Sequence, residues 1–238
     1  MTAKRTRNGD GQWVSVSDLM AVLMLIFLLI SVLFMSEIEA NQRANHDTLE
    51  SCRLALSNEF KNDLPRWDAT IVKDDAERAV DFEFHAPEVL FHPGDAVLTS
   101  RYKDILDEFW PRYLRVIATD RHCGAIDEVR VEGHTSSEWI GAETEDLRYL
   151  NNLELSHDRA FSVTKYVSSL MTLNPNKQWV RKRLNATGWS YSHVVTGDGS
   201  PRGAEDYARS RRVNFRLLLE DKVSDVFTGK VEESGVRS

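Results

Sequence analysis

Asp18 is the residue whose type is most at odds with its surroundings. It stands in Trp13–Met35 (WVSVSDLMAVLMLIFLLISVLFM), a run with no glycine, proline or basic residue and no other acid. A carboxylate at the centre of a membrane-spanning helix costs about 2.5–3.5 kcal/mol on insertion scales, and less toward the ends. At a helical rise of 1.5 Å per residue, Asp18 would lie roughly 6 Å inside the first end. Val22, Leu25 and Leu29 follow on the same face, and none of them can bond it. A partner chain, a water-filled cavity or a proton must therefore satisfy the carboxylate. Two readings stand at this point: an ion-titrating group, or a boundary side chain that snorkels to water.

The segment around Asp18 sets the plan of the chain. Val14–Met35 is 22 residues, enough for a hydrocarbon core of about 30 Å. It is apolar on all sides, unlike a helix buried in a soluble domain. Its exit, Phe34–Glu39, lacks the small-x-small site at which a signal peptide is cut. Lys4, Arg5 and Arg7 precede the run, whereas Glu37 and Glu39 follow it and Arg43 is the first basic residue beyond. The positive-inside rule makes residues 1–13 a cytoplasmic N-terminus and 14–35 a transmembrane helix, with the remainder outside; in a bacterium that is the periplasm, and the membrane is the inner one. A net charge of −7 argues against nucleic acid as a partner. Cys52 and Cys123 then sit in an oxidising compartment. They could bond each other, stay as two thiols, or pair Cys52 with its copy in a dimer.

Residues 36–78 read as a periplasmic connector. Leu49, Cys52, Leu56, Phe60 and Leu64 recur at helical spacing up to Pro65. That stripe could dock on the chain's own domain or pair with a second copy; the reading combines pairing near the membrane with docking after Cys52. Residues 79–220 carry the pattern of one globular domain. Ala79–Phe84, Ile126–Glu132, Leu184–Trp189 and Arg212–Leu219 predict strands. A helix is expected from Thr99 or Ser100 to about Ala118, with Tyr102, Ile105, Leu106, Phe109 and Tyr113 on its apolar face and Pro111 as an interruption. A second helix, Leu147–Met171, has Leu155, Ala160, Val163 and Val167 near one stripe. The order predicts a two-layer α/β sandwich, followed by a charged, flexible tail at 221–238.

Enzymatic signals are thin. His46, His85, His92, His122, His134, His157 and His193 show no metal-ligand spacing. Ser156, His157 and Asp158 are adjacent on a helix and point to different faces, so they form no triad. No phosphate loop or Gly-x-Ser-x-Gly elbow occurs. The expectation is no enzyme, no metal and no cofactor.

The sequence Gly133-His134-Thr135-Ser136, then Asn152-x-x-Leu155-Ser156-x-x-Arg159-Ala160, then Arg211-Arg212-Val213, resembles the OmpA-like peptidoglycan-binding domain, and Val89-Leu90-Phe91 with Gly94 and Leu98 matches that family's first helix entry. The resemblance implies a wall ligand, the diaminopimelate of the stem peptide, held by His134, Thr135, Ser136, Asn152, Leu155, Arg159 and Arg212. The chemistry suits a small zwitterion: N–H groups free at a strand end, two hydroxyls, and a guanidinium fork for a carboxylate. Two positions depart from the family pattern. Ser136 replaces the usual Asp, and Ser210 replaces the usual Asn before the arginines; the longer Ser137–Glu154 segment offers Glu138, Glu143, Glu145 and Asp146 as substitute acids.

A membrane Asp, a connector and this domain together look like a MotB-type stator subunit. Trp13-x4-Asp18-Leu19-Met20 fits that group, with Ser17 for the usual Tyr. Gly133–Trp139 with its long loop is closer to the MotB-like subunit family of the Zorya anti-phage system. That resemblance implies two copies of the chain, a homodimer, inside about five copies of a multi-span MotA/ZorA-like membrane protein. Asp18 would carry the translocated ion, H⁺ or Na⁺, and the outer domain would be anchored to peptidoglycan. The alternatives are a flagellar-type stator subunit, a passive peptidoglycan tether, or a TolR/ExbD-like energy transducer, which lacks the wall-binding motifs.

Overall fold

The structure, a computed structural model, describes residues 10–85, 87–118, 122–172, 174–200 and 202–220, with side chains from Asp18 onward except at 87 and 88. Lys4, Arg5, Arg7 and the 221–238 tail lie outside the described residues. The described chain divides into two compact units, parted between Ala44 and Asn45 inside the first helix, α1 (Asp10–Glu59).

In the first unit the α1 side chains from Leu19 to Met35 are almost all exposed, Leu19 at 66% and Phe27 at 67% among them. The helix is long and apolar enough to cross a membrane.

The second unit is a mixed five-stranded sheet with helices on one face. Its strands are β1 (Ala69–Asp74), β2 (Ala79–Phe84), β3 (Ile126–Gly133), β4 (Leu184–Gly188) and β5 (Val213–Leu219), in the spatial order β1-β2-β5-β3-β4. All neighbours are antiparallel except β3 and β4. That parallel pair is joined by a crossover through α5 (Glu145–Ser169) and α6 (Lys177–Arg183), since parallel strands cannot be linked by a tight turn. Alternation sorts the faces. Val80, Phe82, Phe84, Val129, Val131, Phe215 and Leu217 are buried in the core, while Asp81, Glu83, Arg130, Glu132, Asn214 and Arg216 occupy the alternate positions. On that polar face Arg216 bonds Asp81 at 2.7 Å and Asp74 at 2.6 Å.

Helix α4 (Ser100–Ile117) is capped by Thr99, whose Oγ1 accepts from Tyr102 N at 3.0 Å. Its Phe109 ring lies 4.7 Å from Phe82 and 4.9 Å from Phe215. Pro111 does not interrupt α4. It sits on the exposed side, where a carbonyl deprived of its N–H partner can bond water.

Two features of the connector differ from expectation. First, α1 ends at Glu59, before Pro65, and Pro65 lies in the first turn of the short α2 (Leu64–Trp67), so it opens a helix instead of stopping one. Second, residues 69–74 are not connector but the edge strand β1, paired with β2. Leu49, Cys52, Leu56 and Phe60 are buried in the core of the second unit, Phe60 against Phe82 at 5.2 Å. This stripe is therefore not a surface on which two copies could meet. Cys52 and Cys123 are bonded to each other. The bond closes a loop of 71 residues, which in the chain-entropy account contributes about 4 kcal/mol.

Candidate functional site

Two glycines let α5 lie directly on the ends of β3 and β4. Gly133 and Gly188 are partners in the parallel register. A Cβ at Gly133 would come within 2.0 Å of the Ser156 carbonyl oxygen, and one at Gly188 within 2.4 Å of His157 N. The close approach brings Ser156 Oγ within reach of the next loop: it accepts from Ser190 N at 3.0 Å and donates to Leu153 O at 2.9 Å. Ser190 in turn accepts the Thr135 N–H at 2.9 Å through its carbonyl and donates its hydroxyl to Tyr149 O at 3.0 Å. The loops that follow β3 and β4 are thereby stitched to each other and to α5.

Beside this seam lies a cleft of about 560 Å³. Thr135 and Ser136 wall it from the end of β3, and Asn152, Leu155 and Arg159 from one face of α5, three and seven residues apart as a helix face requires. Phe91, Pro93 and Gly94 close one side; Glu138, Trp139, Ile140 and Arg211 form the rest of the lining. A larger hollow of about 1140 Å³ lies along Asp47–Glu59 of α1 beside Arg115, Val116 and His122, but it is more open and none of its lining residues is buried.

Arg159 is the dominant charge in the cleft wall and is only 6% exposed. Its Nε donates to Asp95 O at 2.9 Å, Nη2 reaches His92 O at 3.5 Å, and the guanidinium lies 5.0 Å from the Phe91 ring centroid. Burial, with the like charge of Arg211 second, pushes its pKa down to about 10, and Asp95 opposes the shift. Arg159 therefore stays charged at neutral pH. Among the described residues it has no carboxylate within ion-pair distance, and its Nη1 makes no hydrogen bond. The Thr135 hydroxyl is buried without a hydrogen-bond partner. Asn152 Nδ2 donates to Arg148 O at 3.1 Å and reaches Glu138 O at 3.5 Å, which holds the long loop over the cleft. Glu205 holds the same loop from outside by accepting from Ser137 N at 3.1 Å and Ser137 Oγ at 2.5 Å.

Five of the seven expected wall-ligand residues thus come together: Thr135, Ser136, Asn152, Leu155 and Arg159. His134 and Arg212 do not line the cleft. His134 is buried with Nε2 3.6 Å from Glu132 and 3.5 Å from Asn214 Nδ2, and burial pushes its imidazole down to about 4. Arg212 donates from Nη1 to His193 O at 3.1 Å, and its Nε lies 3.7 Å from Glu83. The arginine in the cleft is its neighbour Arg211, because successive residues entering β5 point to opposite sides. Of the four substitute acids only Glu138 lines the cleft; Glu145 instead bonds Tyr191 and Arg148. Leu155, expected in the apolar stripe of α5, is half-buried in the cleft wall, and the buried stripe there is Asn152, Ser156 and Arg159. Trp139, Ile140 and Pro93 had no signal of their own, since their place depends on how the loop folds back.

Asp18 lies in the first unit and is exposed among apolar side chains, with Val22, Leu25 and Leu29 exposed on its face. No group of three or more potential metal ligands occurs among the described residues.

No family model matches the chain. The chain is similar to the Zorya protein ZorB of Escherichia coli, with 38% identity over 213 residues that cover 87% of each. Among solved structures it is similar to a MotB-like protein from Desulfovibrio vulgaris, at a TM-score of 0.51 and 21% identity, over 74% of this chain and 96% of that one. At that identity the likeness shows the fold alone. With more than a third of its residues identical across most of both lengths, the chain belongs to the ZorB family.

Proposed function

We propose that this chain is the MotB-like subunit of an ion-driven rotary motor in the inner membrane serving anti-phage defence. Its N-terminus is cytoplasmic and its second unit is periplasmic and held by peptidoglycan. Asp18 carries the translocated ion, and a multi-span MotA/ZorA-like protein supplies the other wall of the ion path. The reading rests above all on Asp18, the single ionisable residue from position 18 to Ser36. Family membership supports the defence context, and an electropositive cleft on an OmpA-like fold supports the wall anchor.

The test is Asp18→Asn, which keeps size and hydrogen bonding but cannot carry a titratable charge. With the partner protein in proteoliposomes, the variant should insert and co-purify normally while ion flux falls to background and phage protection is lost in cells. Flux at the wild-type level would show that Asp18 does not carry the ion, and absence of flux in the wild type itself would leave the passive tether standing. Failure to insert or to hold the partner would shift the role of Asp18 from ion transfer to assembly.

A further inference from the structure

The outer wall of the cleft is a loop whose tip is not fixed by packing. Ile140 lines the cleft yet is fully exposed, and Trp139 is half-buried. Gly141 follows at a φ of +88°, with nothing within 4 Å of a Cβ placed there. The position of the tip therefore depends on the bonds at the start of the loop. Two of these are long: Asn152 Nδ2 to Glu138 O at 3.5 Å, and the Arg211–Glu138 pair at 3.6 Å. The short ones come from Glu205, which accepts from Ser137 Oγ at 2.5 Å and from Ser137 N at 3.1 Å. A carboxylate that takes both the hydroxyl and the N–H of one residue makes two charge-assisted bonds to it.

Glu205 is itself held from both sides. Its β-bridge to Thr196 closes a hairpin, and the next residue, Asp206, donates its N–H to Val195 O at 2.7 Å. The Asp206 carboxylate then caps the short helix Tyr207–Ser210 by accepting from Ala208 N and Arg209 N, both at 3.1 Å. Arg211 follows directly and lines the cleft. Two adjacent loop residues, Ser137 and Glu138, are thus bridged to the two ends of one braced segment, 205–211.

We infer that Glu205, which does not line the cleft, is a positioning residue for wall binding. Through Ser137 it holds Glu138, Trp139 and Ile140 at the cleft beside Arg211. This role rests on the wall-binding reading above. A loop already in place spares the complex the cost of ordering it, so affinity is gained without any contact to the ligand.

The experiment measures co-sedimentation of the full chain in detergent with purified peptidoglycan, beside hydrogen exchange. Glu205→Gln keeps the shape of the side chain but has one acceptor oxygen and no charge. It should bind more weakly by about tenfold, the lower end for a hydrogen bond to a charged group. Ser137→Ala should also weaken binding, and the double variant should lose less than the product of the two losses. In Glu205→Gln the exchange of residues 137–143 should rise while β3 and α5 keep their protection. Wild-type affinity in Glu205→Gln, or losses that multiply in the double variant, overturns the inference. So does exchange that rises across the whole second unit, since Glu205 would then hold the fold and not the loop. A wild-type chain that does not sediment with peptidoglycan overturns the anchor reading, and this role with it; a wild-type chain that sediments while Glu205→Gln sediments equally overturns this role alone.

Discussion

The imidazole of His134 has a carboxylate 3.6 Å away and is still held well below its ordinary pKa, to about 4. Burial is the first cause; Arg212 and His193 add to it, and Glu132 opposes it. A depressed folded-state pKa contributes stability that is present above the unfolded value of 6.5 and is lost as pH falls toward 4. Full loss would be about 3 kcal/mol. His85, also lowered chiefly by burial, acts in the same direction. Asp81, which burial raises to about 7 in spite of Arg216, acts in the opposite one, losing stability as pH rises from 3.8 toward 7. The clean readout is therefore a difference between proteins. Chemical unfolding of the full chain in detergent should show His134→Gln losing less stability than wild type between pH 6.5 and 4. Parallel pH profiles would mean that His134 is charged in the folded protein. The motif Gly133–Ser136 was visible in sequence, but not that His134 turns into a buried ionic face while Thr135 turns into the cleft. Arg212 was expected at the ligand and Arg211 lines the cleft instead for the same reason: one residue of strand phase decides which side an arginine serves.

At the scale of elements, the two long helices and four of the five strands were legible from period and caps, most plainly where one face is apolar, as in α4, β2 and β5. Strand β1 was not. As an edge strand it mixes Thr70, Lys73 and Asp74 with Ile71 and Val72, and its buried pattern is broken. The helical stripe Leu49–Phe60 was legible as a stripe, but sequence could not say what covers it; the covering rings, Phe82 and Phe109, lie elsewhere in the chain. The packing of α5 on Gly133 and Gly188 was equally hidden, since a glycine in sequence does not name its neighbour. It yields a direct expectation. Gly133→Ala places a methyl 2.0 Å from the Ser156 carbonyl, which is helix backbone and cannot rotate away. The helix must move off the sheet end, at a cost of about 1–3 kcal/mol, and the Ser156–Ser190 bond at the cleft seam should weaken with it. The variant should unfold at a lower temperature and retain less peptidoglycan. An unchanged melting temperature would show that α5 can shift without loss.

At the scale of the whole molecule, the question is how many copies assemble. A lone helix offers the Asp18 carboxylate no partner, because Val22, Leu25 and Leu29 on its face are apolar. Two such carboxylates face to face would repel each other and raise one pKa strongly. The expected arrangement is a homodimer within a ring of the multi-span partner, each Asp18 turned toward that partner. The Leu49–Phe60 stripe is spent on the protein's own core, so contact between copies must use other residues, and the stretch just outside the membrane is the candidate. Residues 37–48 are free of cysteine, and the chain's two cysteines are already bonded to each other. Within this chain, a single cysteine introduced along 37–48 in full-length protein therefore has only its own copy to crosslink to. Crosslinking in membranes should rise and fall with a period of about 3.6 residues, strongest on one face. Uniformly absent crosslinks, together with a single copy of this chain per partner ring by native mass measurement, would show that the motor is built on a monomer.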